Sequence, residues 1–309
     1  MIRRFLPFLL LLCLLFSTSS HAELISVDSP DAMPETDADG FLPDAENGYY
    51  YKDHRQGLWM YVDQDTRIEI TRYQTKTPLI TYYLADIVCR PGTTLYTRSW
   101  NEKRPGRTNG LPQEIAARDH AVFAMSGDFY SYRIAHDRYP GIVIRDGKAI
   151  YKKTYSKYVR AVPNLANIAF FESGMTEVNE CNDYSAKDYL ARGAQTVLSF
   201  GPILIRNGQI PDLSDDAYTH LEPRCAIGVV ERGHFIALLV EGRKVHSDGA
   251  DLQTCAEILM EAGCTDALNL DGGNTAAMLF LSESVQLTDQ GEVDVNDRSI
   301  PDILCAGSY

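Results

Sequence analysis

The chain has few basic residues: its 309 residues include 29 lysines and arginines against 42 aspartates and glutamates, for a formal net charge of -13. A protein that neutralises nucleic-acid phosphates over a broad face needs a lysine or arginine for each contact. The acidic balance therefore argues against a nucleic-acid partner and confines any phosphate chemistry to a local site. Hydrophobic residues make up 45% of the chain and charged residues 23%, which is typical of a globular protein and not of a disordered one.

Three patterns that mark common sites and folds are absent. The sequence has no Cys-x-x-Cys pair with a matching histidine, so a structural zinc site is not expected. It has no Gly-x-Ser-x-Gly elbow, so a Ser-His-Asp hydrolase is not indicated. The predicted strands and helices do not alternate in a regular βαβ series, which argues against a Rossmann fold or a TIM barrel.

Long hydrophobic runs are scarce, and the one at the N-terminus is about a dozen residues, too short to cross a hydrocarbon core of roughly 30 Å. Residues 1–22 carry Arg3 and Arg4, then this apolar run, then a polar stretch that ends at Ala22. This order predicts a secretory signal peptide, with an uncleaved anchor as the alternative. We therefore expect a secreted or periplasmic protein with no stable membrane span after cleavage.

Cysteine usage fits export. Removal of residues 1–22 takes Cys13 with it and leaves six cysteines. An even number in an exported chain predicts up to three disulfides, in one of 15 pairings. The six are Cys89, Cys181, Cys225, Cys255, Cys264 and Cys305.

The mature chain divides into two parts by composition. Residues 23–48 are rich in acids and prolines and contain no lysine or arginine, which predicts a solvated acidic linker. Aromatic residues begin to cluster near Tyr49, so we expect one large domain over residues 49–309.

Short apolar runs dominate this domain and predict strands, among them residues 81–89, 121–126 and 234–240. Asp146-Gly147 and Asn207-Gly208 each lie between strand-like runs and predict tight hairpins. The clearest helix covers residues 251–262, with Asp251 as its N-cap and Gly263 after its end. Many strands with a few interspersed helices predict an α+β fold with mixed β-sheets in a single large domain.

Polar groups follow glycine-rich strand ends in three places. Asp128 follows Ser126 and Gly127 at the end of a buried run, and Ser199 precedes Gly201 in Ser-Phe-Gly-Pro. The third segment is Asn269-Leu270-Asp271-Gly272-Gly273-Asn274, in which two glycines after an aspartate let several N–H groups approach one anion. Each segment alone is compatible with an ordinary turn.

Together and in this order, the segments resemble the phosphodiester glycosidase family. The resemblance runs from about Gly57 to Ala306 and also includes Arg224-Cys225-Ala226-Ile227-Gly228 and Glu241-Gly242-Arg243. It implies a secreted hydrolase of carbohydrate metabolism that cleaves the glycosidic bond of sugar-1-phosphate diesters, releases the sugar and leaves a phosphomonoester. A phosphoglycan or a small sugar phosphate is then the expected substrate.

The chemistry of such a reaction explains the residue types. An oxocarbenium-like transition state is stabilised by one carboxylate, and a second carboxyl group handles the proton, for which we predict Asp128 and Asp271. Arg224 is predicted to hold phosphate oxygens with its planar fork. The remaining predicted substrate-binding residues are Ser126, Gly127, Ser199, Gly201, Glu241, Asn269, Gly272, Gly273 and Asn274.

Other functions remain open at this point. A non-catalytic carbohydrate or cell-wall binding protein is one alternative, and a metal-dependent phosphodiesterase is another. The glycosidase reaction requires no cofactor, although Asp128, Asp248 and Asp271 offer oxygen ligands for a divalent cation.

Overall fold

The structure is a computed structural model that describes residues 23–43, 47–103, 108–153 and 165–309. The predicted signal peptide at residues 1–22, with Cys13, lies outside these ranges. In the first part of the chain the strands are β1 (Leu24–Ser26), β2 (Gly48–Asp53), β3 (Leu58–Val62), β4 (Thr66–Gln74), β5 (Thr81–Cys89), β6 (Tyr96–Ser99), β7 (Ala121–Ser126), β8 (Val143–Arg145), β9 (Lys148–Tyr151) and β10 (Ala166–Phe171). The later strands are β11 (Thr176–Glu180), β12 (Ala194–Phe200), β13 (Ile203–Ile205), β14 (Arg224–Glu231), β15 (His234–Val240), β16 (Asp266–Leu270), β17 (Met278–Phe280), β18 (Glu283–Ser284) and β19 (Asp302–Ser308).

Helices are short and lie between the strands. The α-helices of the described residues are α1 (Pro112–Arg118), α2 (Tyr130–Ala135), α3 (Ala186–Ala191), α4 (Asp216–Thr219) and α5 (Leu252–Glu261). Single 3-10 turns occur at Pro30–Ala32 and Gly273–Thr275. None of the helices in the described ranges has the length and apolar composition needed to cross a membrane.

The strands form three sheets. The large sheet has the order β1-β2-β3-β4-β5-β15-β14-β16-β13 and is antiparallel except for the β1–β2 pair. The second sheet has the order β11-β10-β12-β8-β9, and the third sheet has the order β18-β17-β7-β19-β6. The fold is therefore α+β with mixed sheets, as the sequence predicts.

The three sheets share one hydrophobic core. Phe123 of the third sheet, Phe170 of the second sheet and Phe235 of the large sheet belong to the same buried cluster. The rings of Phe170 and Phe235 meet edge to face with centroids 5.6 Å apart. Because the sheets converge, the loops at their strand ends come together, and these loops carry the candidate site.

Helix α5 covers the outer face of the large sheet. Its apolar side, with Leu252, Cys255 and Leu259, is buried against strands β13 to β16. The predicted N-cap forms, since Asp251 Oδ1 accepts a hydrogen bond from the Thr254 N–H at 2.7 Å. The apolar spacing along this segment therefore predicts the helix and its buried face correctly.

The two predicted hairpin turns are confirmed. Asp146 and Gly147 have φ values of 48° and 67°, and Asn207 and Gly208 have φ values of 50° and 72°. Successive positive φ values are what a type I′ turn between antiparallel strands requires. Asp146-Gly147 connects β8 to β9 within the second sheet.

Part of the segment expected to be a solvated linker contacts the domain. Leu24 to Ser26 form β1, which extends the edge of the large sheet, and Phe41 and Leu42 are buried. Because acidic residues dominate the composition of this segment, composition alone does not reveal these few apolar side chains. Their burial holds the segment against the domain. The division of the chain at residue 49 stays a prediction.

The expected disulfides are not found. The described residues contain no disulfide bond, and Cys89, Cys225, Cys255, Cys264 and Cys305 are buried. Several of these thiols pack as small apolar side chains within the hydrophobic clusters. The disulfide prediction, which rested on the even cysteine count, is therefore not confirmed. Buried cysteines also occur as small apolar side chains without forming disulfides.

Candidate active site

Asp128 lies at the end of the buried strand β7, just before helix α2, and is only 1% exposed. Its Oδ1 forms a buried ion pair with Nη2 of Arg133. Its backbone N–H donates to Oδ1 of Asp302 at 2.9 Å. Its Oδ2 is buried and has no hydrogen-bond partner among the described residues. Burial raises the pKa of the Asp128 carboxyl, and the Arg133 guanidinium opposes that shift.

Arg133 is itself held in place by backbone carbonyls. Its Nε donates to Pro140 O at 2.9 Å, and its Nη2 donates to Ser199 O at 3.0 Å. The guanidinium thus connects helix α2 with the end of strand β12. A buried arginine with this many partners is fixed in orientation, so Asp128 meets a rigid cation.

Asp271 follows the end of strand β16 and lies beside the Asp128 loop. Its N–H donates to Gly127 O at 3.1 Å, which joins the two segments. Its Oδ2 accepts from Thr275 Oγ1 at 2.7 Å. Burial raises the pKa of the Asp271 carboxyl to about 7, and the nearby charge of Asp128 adds to the shift. The structure therefore brings together the two carboxyls that the sequence predicts to be catalytic.

The environments of these two carboxyls differ. Asp128 has a direct guanidinium partner, whereas the side-chain donor on Asp271 is the neutral hydroxyl of Thr275. A paired cation favours the ionised form of a carboxyl, and burial beside another carboxylate favours the protonated form. Of the two carboxyls, Asp128 is therefore the more readily ionised and Asp271 the more readily protonated.

The two glycines after Asp271 differ in their surroundings. A Cβ on Gly272 would lie 2.7 Å from Pro223 O, so the backbone leaves no room for a side chain there. Gly273 has a φ of 62° and open space where a Cβ would be. Its N–H donates to Pro223 O at 2.7 Å, so this amide is already used within the protein and does not face an anion.

A cavity of about 260 Å³ opens beside this turn. Its wall includes Glu241, Gly273 and Asn274, three of the predicted substrate-binding residues, and also Arg243 and Lys244. Asp128 and Asp271 do not line it, although Asp271 lies two residues before Gly273 in the same turn. The volume is near the lower end of known ligand pockets and suits a small polar ligand.

Glu241 is buried at the base of this cavity and holds its wall together. Its Oε1 accepts from Tyr83 OH at 2.9 Å and from the Leu287 N–H at 3.3 Å. Its Oε2 lies 2.5 Å from His246 Nε2 and 3.6 Å from Lys244 Nζ. This carboxylate therefore joins its own loop, through Lys244 and His246, to the segments that carry Tyr83 and Leu287.

The structure does not bring the Arg224 guanidinium onto the two carboxyls. Arg224 Nε donates to Ala250 O at 3.1 Å and Nη2 donates to His220 O at 2.8 Å. Its neighbour Cys225 faces the core between the sheets, so Arg224 points to the opposite face of the large sheet. The cation beside Asp128 is Arg133, and the phosphate-holding role predicted for Arg224 stays a prediction.

The predicted polar residues near Gly201 make contacts within the protein. Ser126 Oγ accepts from the Ala277 N–H at 3.0 Å, and Ser199 Oγ lies 2.8 Å from Ile142 O. Asn269 Nδ2 donates to Gly201 O at 2.9 Å. The Oδ1 of Asn269 is buried and has no hydrogen-bond partner among the described residues.

Sequence reasoning missed a second ion pair next to Asp128. Oδ2 of Asp302 lies 3.3 Å from Nη2 of Arg145, and both side chains are almost fully buried. Arg145 also contacts Glu102 Oε2 at 3.0 Å and Thr97 Oγ1 at 3.1 Å. The signal available in the sequence is a charged residue at the border of an apolar run, since Asp302 precedes residues 303–306 and Arg145 follows residues 142–144.

A cation site made from the three predicted aspartates is not formed. Asp248 is exposed, and its N–H donates to Leu79 O in another loop. Within the described ranges, no group of three or more His, Cys, Asp or Glu side chains is arranged to hold a metal ion. The use of a divalent cation stays a prediction.

Comparisons with known proteins agree with the fold and the site segments. Residues 119–306 match the model of the phosphodiester glycosidase family. An uncharacterized SPbeta prophage-derived protein of Bacillus subtilis is 27% identical over 141 residues, which are 44% of this chain and 21% of that protein. The aligned part of the chain thus spans about a fifth of the length of this curated relative.

Two solved structures have a similar fold. The catalytic domain of zebrafish N-acetylglucosamine-1-phosphodiester alpha-N-acetylglucosaminidase, auto-inhibited by its pro-peptide, superposes with a TM-score of 0.60 at 17% identity, covering 79% of this chain and 83% of that one. A hypothetical protein from Synechocystis superposes with a TM-score of 0.57 at 14% identity, covering 86% of this chain and 64% of that one. At these identities the likeness concerns the fold alone.

Proposed function

Because the chain belongs to the phosphodiester glycosidase family, we propose that it hydrolyses the glycosidic bond of sugar-1-phosphate diesters. Water adds to the anomeric carbon of the sugar, and the bond from this carbon to the phosphate oxygen breaks. The products are the free sugar and a phosphomonoester. The observation that carries the proposal is the buried pair of Asp128 and Asp271, whose unequal surroundings suit an acid and a carboxylate.

In this proposal Asp271 handles the proton. Its pKa, raised by burial to about 7, leaves a substantial fraction of the carboxyl protonated at neutral pH. A proton donor works best when its pKa lies near the working pH. Thr275 holds Oδ2 of this carboxyl and fixes its orientation.

Asp128 acts as the ionised carboxylate beside the anomeric carbon. The Arg133 guanidinium on Oδ1 favours the charged form, while Oδ2 has no donor from the described residues. A carboxylate oxygen free of protein donors is suited to stabilise the positive charge that develops on the sugar.

Arg243 takes the phosphate-holding role in place of Arg224. It lies in the cavity wall, and its Nη1 is 2.5 Å from Asn274 Oδ1. The Arg243 side chain is about half exposed, so part of it is accessible to a ligand in the cavity. A phosphate already leaves readily, so positive charge on its oxygens supplies much of the assistance that departure needs.

The test is hydrolysis of the methyl diester of N-acetylglucosamine 1-phosphate in ¹⁸O-labelled water. Label in the sugar supports the proposal. Label in the phosphate would instead indicate a phosphodiesterase, for which loss of turnover with EDTA would indicate a metal.

The variant Asp271→Asn separates an enzyme from a binding protein. We expect the wild type to turn over the diester and the variant to fold but lose turnover. If the wild type binds the diester without releasing sugar, and the variant binds it equally well, the chain is a carbohydrate-binding protein on the same scaffold.

We also propose that the chain is exported, to the periplasm or the medium. The support is the charged, apolar and polar order of residues 1–22. N-terminal sequencing of the protein from its host tests this proposal, with a start at Glu23 expected and a start at Met1 contradicting it.

A further inference from the structure

Asp302 lies behind the candidate catalytic pair and contacts two groups from different parts of the fold. It is the first residue of strand β19 in the third sheet and is 1% exposed. One carboxylate oxygen, Oδ1, accepts the N–H of Asp128 at 2.9 Å. The other, Oδ2, lies 3.3 Å from Nη2 of Arg145, which ends strand β8 of the second sheet.

We propose that Asp302 is a positioning residue for Asp128: its carboxylate, anchored by Arg145, fixes the backbone of Asp128 and thereby the place of the Asp128 carboxyl. The inference rests on the proposed function, in which Asp128 is the carboxylate beside the anomeric carbon. Asp302 acts through Asp128 and does not itself touch the substrate.

The first support is that Asp128 is held from two sides. Asp302 receives its backbone N–H, and Arg133 binds its Oδ1. Together these contacts restrict both the main chain and the side-chain rotation of Asp128. They leave Oδ2 as its one carboxylate oxygen without a donor in the described ranges. These contacts thus fix the position of Oδ2 of Asp128.

The second support is the close packing at Gly127. A Cβ at this position would lie 2.5 Å from Oδ1 of Asp302, far closer than carbon and oxygen atoms normally approach. The residue before Asp128 therefore has no side chain because the Asp302 carboxylate occupies that space. Gly127 O also accepts the Asp271 N–H at 3.1 Å, so the same peptide segment positions both carboxyls.

The third support is the anchoring of Asp302 itself. Arg145 is fixed by Thr97 through Nε and by Glu102 through Nη1. The guanidinium is thus held by strand β6 and the residues after it as well as by Asp302. An anchored cation of this kind orients the carboxylate and offsets part of the cost of burying it.

Two substitutions of Asp302 separate positioning from simple loss of charge. Asp302→Asn and Asp302→Ala both remove the negative charge beside Arg145. Only the asparagine keeps an oxygen that can accept the N–H of Asp128. We expect kcat on the methyl diester of N-acetylglucosamine 1-phosphate to be about 10- to 100-fold lower for Asp302→Ala than for Asp302→Asn, with similar KM values. Equal kcat values in two folded variants would overturn the proposal.

Glu102→Gln is the matched control. It removes the other carboxylate from Arg145 and touches neither Asp128 nor Asp302. We expect its kcat to stay well above that of Asp302→Ala. A loss as large as that of Asp302→Ala would mean that a loosened Arg145 explains the effect, and Asp302 would have no specific role.

Gly127→Ala keeps the test decisive if Asp302→Ala fails to fold. We expect the added methyl group to displace Oδ1 of Asp302 from the Asp128 N–H without removing any charged group. We expect a kcat at least about 10-fold below wild type with an unchanged KM. A folded Gly127→Ala protein with wild-type kcat would contradict the proposal.

Hydrogen exchange of the Asp128 amide gives a readout that needs no activity. By ¹⁵N NMR, this amide should be protected in the wild type and in Asp302→Asn and exchange faster in Asp302→Ala. Equal protection in all three proteins would overturn the positioning role. If the wild type fails to hydrolyse the diester, the proposed function fails while the amide result still decides the role of Asp302.

Discussion

Arg133 donates from a single nitrogen, Nη2, to the carboxylate of Asp128 and to the main-chain carbonyl of Ser199. This places the cation of a buried ion pair on a rigid backbone support. When one partner of a buried pair is removed, the other remains as an uncompensated charge, which is strongly destabilising.

Arg133→Gln should therefore destabilise the protein by about 3 to 5 kcal/mol at pH 8. The cause is an isolated Asp128 carboxylate, whose pKa rises further without its partner. Protonation relieves that cost, so the difference from wild type should shrink as the pH falls towards 5. Urea unfolding at pH 8 and at pH 5 measures this difference in the free energy of unfolding between variant and wild type. Arg138→Gln, on the same segment but without a carboxylate partner in the described structure, is the control and should change stability little. A pH-independent loss would contradict this account.

Asp271→Asn should lose turnover and gain stability at alkaline pH. The folded-state pKa of Asp271, about 7, lies above its ordinary value of 3.8, so folding opposes ionisation. The wild type therefore loses stability as the pH rises from about 4 to 7, and the asparagine does not. We expect a gain of roughly 1 to 3 kcal/mol at pH 8 that disappears near pH 4. Thermal or urea unfolding across this range checks it, and a variant no more stable than wild type at pH 8 would argue against a protonated Asp271.

Arg243→Met and Arg224→Met form a matched pair that distinguishes a ligand contact from a structural one. Arg243 lies in the cavity wall, so its loss should raise KM about 10-fold or more for the phosphate diester. Its ion pair with Glu222 is partly exposed, so the loss of stability should be modest, about 1 kcal/mol. Arg224→Met should instead lower stability, because the hydrogen bonds from the guanidinium to Ala250 O and His220 O are lost. A higher KM for Arg224→Met alone would restore Arg224 as the phosphate ligand.

Reducing agents should leave the thermal midpoint unchanged. Each disulfide typically contributes about 2 to 4 kcal/mol, so reduction of even one would lower the midpoint measurably. Thiol titration of the unreduced, denatured protein should give six thiols for residues 23–309. In the folded protein the five buried cysteines should react slowly. Fewer than six thiols would show that disulfides form.

The sequence predicts local structure well where neighbours along the chain decide it. Asp251 caps helix α5, and Asp146-Gly147 turns between β8 and β9, because a side-chain oxygen or a positive φ is required at that very position. The strands 81–89 and 121–126 also appear with their predicted bounds, since each is a β-rich run that the fold buries on at least one face. The short strands β1 and β18 were missed. Strand β1 forms by pairing with β2 further along the chain, whereas β18 is a two-residue strand that turns back onto β17 and is too short to show a pattern.

The candidate site was predictable only in part for the same reason. Asp128 and Asp271 follow strand ends marked by glycine, so local patterns identify them. Asp302 is 174 positions from its partner Asp128, and nothing in the local sequence links them. Arg224 was predicted from its residue type. Neighbouring side chains on a strand lie on opposite faces of the sheet, so Arg224 points away from the core that Cys225 faces.

The segment that matches the family model has a practical consequence for handling this protein. Residues 119–306 contain β15 and β19 but lack one of the two neighbours of each strand, β5 and β6. In a fragment trimmed to these limits, β15 from the middle of the large sheet would become an edge strand with unpaired N–H and C=O groups. Such an exposed edge promotes aggregation. Truncations intended to stay soluble therefore need to retain strands β1 to β5 of the large sheet.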